Sequence, residues 1–290
     1  MVQINPQGFI TVNNDPLTQG VMSQDRELIV FIDGTLSNSG NGLVVLIRRK
    51  SGQIFAAADL AGTWYGHQIV SGDAPADEPR WGYGTADIDS VGGFTSIWTS
   101  LGTPSETVQG SIQINGSGMI TINGQPLTHG VMNDAKDMIV FIDGTAQNDG
   151  NALTIMLKRD PAVTFSAVDL AGLWCGYHVV SGDNPPDDPR WGYGKLSVNS
   201  QGQYEADWTS PTQSGEISQG NIAISSGGET LIDGNPLTHG ALNDDKNMLV
   251  FIDGTTESGG NALNVLLRCT EPSTAALQIL LMKEDNPAAP

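Results

Sequence analysis

The chain has 290 residues, 36 of them glycine, and 13 Lys plus Arg against 32 Asp plus Glu give a formal net charge of −19. That balance argues against nucleic acid and against insertion into an anionic membrane, because phosphate contacts need clustered cations. β-branched and aromatic residues recur at strand spacing, which excludes a disordered chain, and the length suffices to bury a sizeable core.

The first predicted element is an abbreviated strand, Val2 to Ile4, followed by a hairpin between Gly8 and Met22. Next comes Phe-Ile-Asp-Gly-Thr at Phe31 to Thr35, which returns at Phe141 to Thr145 and at Phe251 to Thr255. The separations (141 − 31 and 251 − 141) are both 110, so the chain is a tandem repeat without insertions. Pro16, Pro126 and Pro236 keep the same offset, as do Asn41, Asn151 and Asn261.

Each period divides into two halves. The Phe-Ile-Asp half, in its middle copy, predicts strands at Ser111 to Ile114, Met119 to Ile122, Thr128 to Met132, Met138 to Asp143 and Ala152 to Lys158. Asn115-Gly116, Asn123-Gly124 and Asn133 to Asp137 supply the turns of tight antiparallel hairpins. The Trp half, from about Asp59 to Ser100 and again from about Asp169 to Ser210, carries all six tryptophans. The chain thus reads as a single repeat domain of five half-units, 1-58, 59-107, 108-168, 169-216 and 217-290.

No apolar pattern of helical period persists, so the fold class is all-β. Five half-units of about four strands each predict a five-bladed β-propeller, with Ala275 to Met282 adding the strand that latches the ring. The alternative starts from Leu60-Ala61-Gly62-Thr63-Trp64-Tyr65 and its echo Leu170-Ala171-Gly172-Leu173-Trp174-Cys175. These segments resemble the Gly-x-Trp opening of lipocalin and avidin barrels. The resemblance implies two eight-stranded up-and-down barrels, each plugged at one end by its tryptophan and holding a ligand inside. One half-unit would then be left with open sheet edges, and the cost of open edges favours the propeller.

The candidate binding site is a loop of the Trp half, Asp73, Asp77, Arg80, Trp81 and Tyr83, repeated as Asp183, Asp187, Arg190, Trp191 and Tyr193. Carboxylates and a guanidinium bond sugar hydroxyls while an aromatic face stacks on the ring, so the expected ligand is a glycan. The competing structural reading pairs the arginines with Asp77 and Asp187 and places both tryptophans in the core. No cofactor is expected; the Asp33, Asp143 and Asp253 loops have oxygen donors suited to calcium but not the spacing of an EF-hand, and hydrogen bonds within their own turns account for them.

His129 and His239 are repeat-equivalent but face Gln19 in the first copy, while His67 and His178 read as drift at a tolerant surface. Cys175 and Cys269 are not repeat-equivalent and read as two isolated buried thiols. Nearly every polar feature recurs, which fits multivalent binding to a glycan or protein surface better than a unique active site. A glycosidase using Asp87, Asp89, Asp143 and Asp253 near a ring axis is the surviving enzyme reading, and a rigid scaffold or a barrel carrier of an apolar ligand are the rival functions. No signal peptide is visible, and an extracellular or cell-surface location is the expectation.

Overall fold

The computed structural model describes residues 1–13, 15–34, 41–71, 81–144, 150–181, 191–210, 214–256 and 260–270. The first Phe-Ile-Asp half forms an open antiparallel sheet of five strands, β1 (Val2–Ile4), β2 (Phe9–Val12), β3 (Asp15–Met22), β4 (Leu28–Asp33) and β5 (Gly42–Ile47). The first Trp half supplies β6 (Gly62–Ser71), β7 (Trp81–Ile88), β8 (Gly93–Ser100) and the start of β9 (Thr103–Ile114). The second Phe-Ile-Asp half continues with β10 (Met119–Ile122), β11 (Thr128–Met132), β12 (Met138–Asp143) and β13 (Asn151–Arg159). These eight strands close in sequence order, β13 pairing back onto β6 with Leu157 opposite Tyr65.

The second barrel repeats the first with β14 (Gly172–Ser181), β15 (Trp191–Val198), β16 (Gln203–Thr209), β17 (Ser214–Ile224), β18 (Glu229–Ile232), β19 (Thr238–Leu242), β20 (Met248–Asp253) and β21 (Asn261–Arg268). The propeller expectation is therefore corrected. A Trp half and the Phe-Ile-Asp half after it contribute their strands to one closed barrel, so the physical unit is the full period and not the half. The expected latch, Ala275 to Met282, lies outside the described residues.

One end of each barrel is closed as the Gly-x-Trp resemblance implies. Trp64 and Trp174 are fully buried, and each indole N–H donates to the carbonyl of a short helical turn, Leu60 at 2.7 Å and Leu170 at 2.8 Å. Lys158 lies over one ring and Arg268 over the other.

Residues of alternate parity face opposite sides of a strand, and where two units meet both sides are covered. Inward residues such as Trp64, Ala86, Ile112 and Met156 form the core of the first barrel. Outward residues such as Ile69, Trp81, Val140 and Leu157 join a separate core between units, with Val30 of the sheet and Val250 of the second barrel. Double burial explains why Leu28 to Ile32 and its copies read as continuous apolar runs.

The contacts between units run head to tail. β20 and β21 pack on β6 and β7, and by the same surfaces β4 and β5 pack on β14 and β15. Arginines after the Phe-Ile-Asp halves tie successive units: Arg49 donates to the carbonyls of Met132 and Ser117, and Arg159 to the carbonyl of Leu242 and the carboxylate of Asp244. The turns at Ser23, Asn133 and Asn243 meet around a common cavity of about 450 Å³, the centre of a pseudo-threefold arrangement.

Cys269 stands where that arginine would be, and it forms a disulfide with Cys175. The expectation of two isolated thiols is thus corrected; the pair links β14 to the residue just past β21, a juxtaposition set by barrel closure and invisible to sequence spacing.

Candidate functional site

Each barrel encloses a cavity at the end opposite its Trp plug, and the two cavities are built from repeat-equivalent positions. That of the first barrel has about 300 Å³ and that of the second about 460 Å³, within the size range of small-ligand sites. Trp98 and Trp208 lie across the two cavities. Gly66 and Gly176 leave room for them: an added Cβ would come within 2.9 and 2.7 Å of the respective rings.

The walls differ in chemistry. In the first barrel Phe94, Trp98, Phe141 and Met156 give the cavity a mostly apolar surface, with Gln68, Asp143 and Thr154 among its polar groups. Thr154 is buried and its Oγ1 has no hydrogen-bond partner; a buried hydroxyl without a partner costs free energy that a bound polar atom would recover. In the second barrel the positions of Gln68, Phe94, Asn123 and Thr154 are taken by His178, Tyr204, Asp233 and Asn264.

His178 lines this cavity and is half-buried, its ring 5.1 Å from that of Trp208. Burial lowers its pKa to about 4, so it is neutral at physiological pH and offers one donor and one acceptor. The Tyr204 hydroxyl donates to Asp233 at 3.1 Å, and burial with the adjacent Asp233 charge pushes the phenol up to about 12. Burial also raises Asp253, partly offset by the hydrogen bond it accepts from Thr238.

Of the binding residues singled out from sequence, the described ones line neither cavity. Asp73, Asp77, Arg80, Asp183, Asp187 and Arg190 lie outside the described residues. Trp81 and Trp191 face away from the cavities and are 2% and 1% exposed in the core between units. Trp81 lies against Gly254 and donates its indole N–H to the Thr255 carbonyl at 3.1 Å, and Trp191 lies against Gly34 in the same way. Tyr83 stacks on His239 with centroids 4.0 Å apart and donates to the Pro236 carbonyl. Tyr193 stacks beside Trp191.

His67 is not a surface residue. It is fully buried against the second barrel, its Nε2 3.2 Å from Nδ1 of His239, and burial followed by that neighbour holds its pKa well below the usual value. His178 likewise faces a cavity, so the reading of both as surface drift is corrected. Asp33, Asp143 and Asp253 each accept from the threonine opposite on the neighbouring strand, Thr18, Thr128 and Thr238, and the turns that follow them lie largely outside the described residues. Asp143 and Asp253 belong to different barrels, Asp87 accepts from Thr63, and Asp89 accepts from the N–H groups of its own turn. The described residues bring no three metal-ligating side chains together.

No protein-family model and no curated protein match the chain. Among solved structures it is similar to a protein of unknown function from the DUF3598 family of Nostoc punctiforme, at 12% identity over 72% of this chain and 95% of that one, TM-score 0.28. It is also similar to the isotype 1 transferrin binding protein B of serogroup B Neisseria meningitidis, at 11% identity over 93% of this chain and 58% of that one, TM-score 0.33. A mutant vaccine antigen form of transferrin binding protein B from Haemophilus parasuis matches at 10% identity with TM-score 0.31, covering 92% of this chain and 67% of that one.

Proposed function

We propose that the chain is a non-enzymatic binding protein whose two barrels each hold a small ligand in the cavity above the Trp plug. The observation that carries this reading is the recurrence of one blind, aromatic-lined cavity at equivalent positions of both periods. The wall substitutions divide the specificity: the first barrel suits a mostly apolar molecule with one polar group near Thr154, and the second a ligand with hydrogen-bonding groups for His178, Tyr204 and Asn264. The disulfide supports an oxidising compartment, in keeping with an extracellular or cell-surface role.

The test is tryptophan fluorescence and thermal melting against a panel of small amphipathic molecules, with native mass spectrometry for anything that copurifies. Ser96→Phe and Ala206→Phe add a ring to the wall of one cavity each. Each variant is expected to lose binding in its own barrel and retain it in the other. If binding is indifferent to both substitutions, the cavities are not the site. Soluble glycans belong in the panel: a glycan response that survives both variants moves binding to the Asp73 to Arg80 and Asp183 to Arg190 loops, with Trp81 and Trp191 serving as their buried anchors.

A further inference from the structure

The five-stranded sheet has the register of a barrel lacking three strands. β5 is equivalent to β13 and β21, which pair onward with β6 and β14, whereas β5 pairs only with β4 among the described residues. β1 is equivalent to the distal part of β9, whose proximal part pairs with β8. The absent strands are those of a Trp half. Leu46, which would point into the barrel, is 49% exposed, against 5% for Met156 and 0% for Leu266 at the same position.

A second vacancy lies on the first barrel. Ile32 and Ile252 are 0% exposed under the neighbouring unit, but Ile142 is 46% exposed. Gly34 and Gly254 are covered by the rings of Trp191 and Trp81, whereas among the described residues the atoms nearest a Cβ added at Gly144 belong to Leu127 and Asn151. Leu127 and His129 are exposed beside it, while His239, the equivalent of His129, is stacked under Tyr83. In the pseudo-threefold arrangement one Trp half inserted between β5 and β1 would present its own Trp-Gly-Tyr strand to this face.

We infer that β5, β1 and the Ile142 face together form one docking site for a third three-stranded unit of the Trp type, supplied by polypeptide outside these 290 residues. Further copies of the chain do not satisfy it. Each copy brings three Phe-Ile-Asp halves and two Trp halves, so n copies offer 2n units for 3n positions. The recognition is strand addition at the free β5 edge, fixed in register by a tryptophan over Gly144 and a tyrosine at the Pro126 carbonyl and the His129 ring.

The test extends the full chain with a copy of residues 59–110 placed directly ahead of residue 1, which keeps the 110-residue register. Amide exchange of β5 is expected to slow by roughly tenfold or more. The docking face is read separately by Ile142→Asp. In the unextended chain this substitution is expected to shift Tm by no more than about 2 °C, while Ile32→Asp and Ile252→Asp lower it by roughly 10 °C. In the extended chain Ile142→Asp should become as costly as the other two. An extended chain whose β5 exchanges as fast as before overturns the inference. So does an Ile142→Asp variant of the unextended chain that melts as low as Ile252→Asp, a result that does not depend on the extension folding.

Discussion

His178 and His67 show how a repeat position changes its physics with one residue. Gln68 and His178 occupy equivalent wall positions, yet only the imidazole couples its cavity to pH. Burial depresses both histidines in the folded state, His178 to about 4 and His67 well below its usual value. Between the folded values and the unfolded value near 6.5 the unfolded chain binds more protons. Their contribution to stability is therefore complete above about pH 6.5 and is lost as pH falls toward 4. For His178 the difference corresponds to about 3 kcal/mol. His178→Gln should flatten part of the fall in Tm between pH 6.5 and 4 while leaving the His67 part; a wild-type slope in that variant would refute the assignment. The sequence marked Trp81, Tyr83, Trp191 and Tyr193 as distinctive, and they are. What it did not carry was their direction, because strand parity alone does not say which face meets a ligand and which meets another unit.

At the scale of elements, the strands and turns were legible. The turn Asn133 to Asp137 forms because the Asn133 side chain accepts the N–H groups of Asp137 and Met138, and Asn243 repeats this at Asn247 and Met248. The Gly-x-Trp segments begin strands whose tryptophans plug the barrels, as their resemblance implied. The Cys175–Cys269 bond was not legible, since the partners are 94 residues apart and meet only when β21 closes onto β14. A cross-link of that span restricts the unfolded chain by about 4–5 kcal/mol on the loop-entropy account. Reduction, or the paired Cys175→Ala and Cys269→Ala change, should lower the denaturation midpoint of the second barrel and leave that of the first nearly unmoved. Equal losses in both barrels would show that the two unfold as one cooperative body.

For the whole molecule, the cost of unpaired strands points toward a propeller, while the preference of eight strands for closure points toward barrels. Both effects operate. Closure wins in the two complete periods, and the edge cost is concentrated in the orphaned half. What holds that half in place is packing on a neighbour, with Val30 and Ile32 buried and Trp191 against Gly34. Trp191→Ala removes a fully buried indole and should cost about 3–5 kcal/mol. The loss should fall on the docking of residues 1–47: proteolysis and amide exchange should accelerate in β1 to β5 while β6 to β13 keep their protection. Uniform acceleration across the chain would contradict a separable sheet.

That dependence also sets an order of assembly during synthesis. Of the three units the sheet is translated first, yet the strands that cover it, β14 and β15, end only at Val198, 151 residues after Ile47 (198 − 47). At the usual 5–20 residues per second the apolar face of β4 waits roughly 8–30 s for its cover. In that interval the nascent first barrel, whose equivalent strands β6 and β7 present the same docking surface, becomes available before the second. The native fold reserves that surface for β20 and β21. A nascent sheet therefore meets a look-alike partner before its proper one, and slow translation through residues 100–170 would lengthen its exposure to that error.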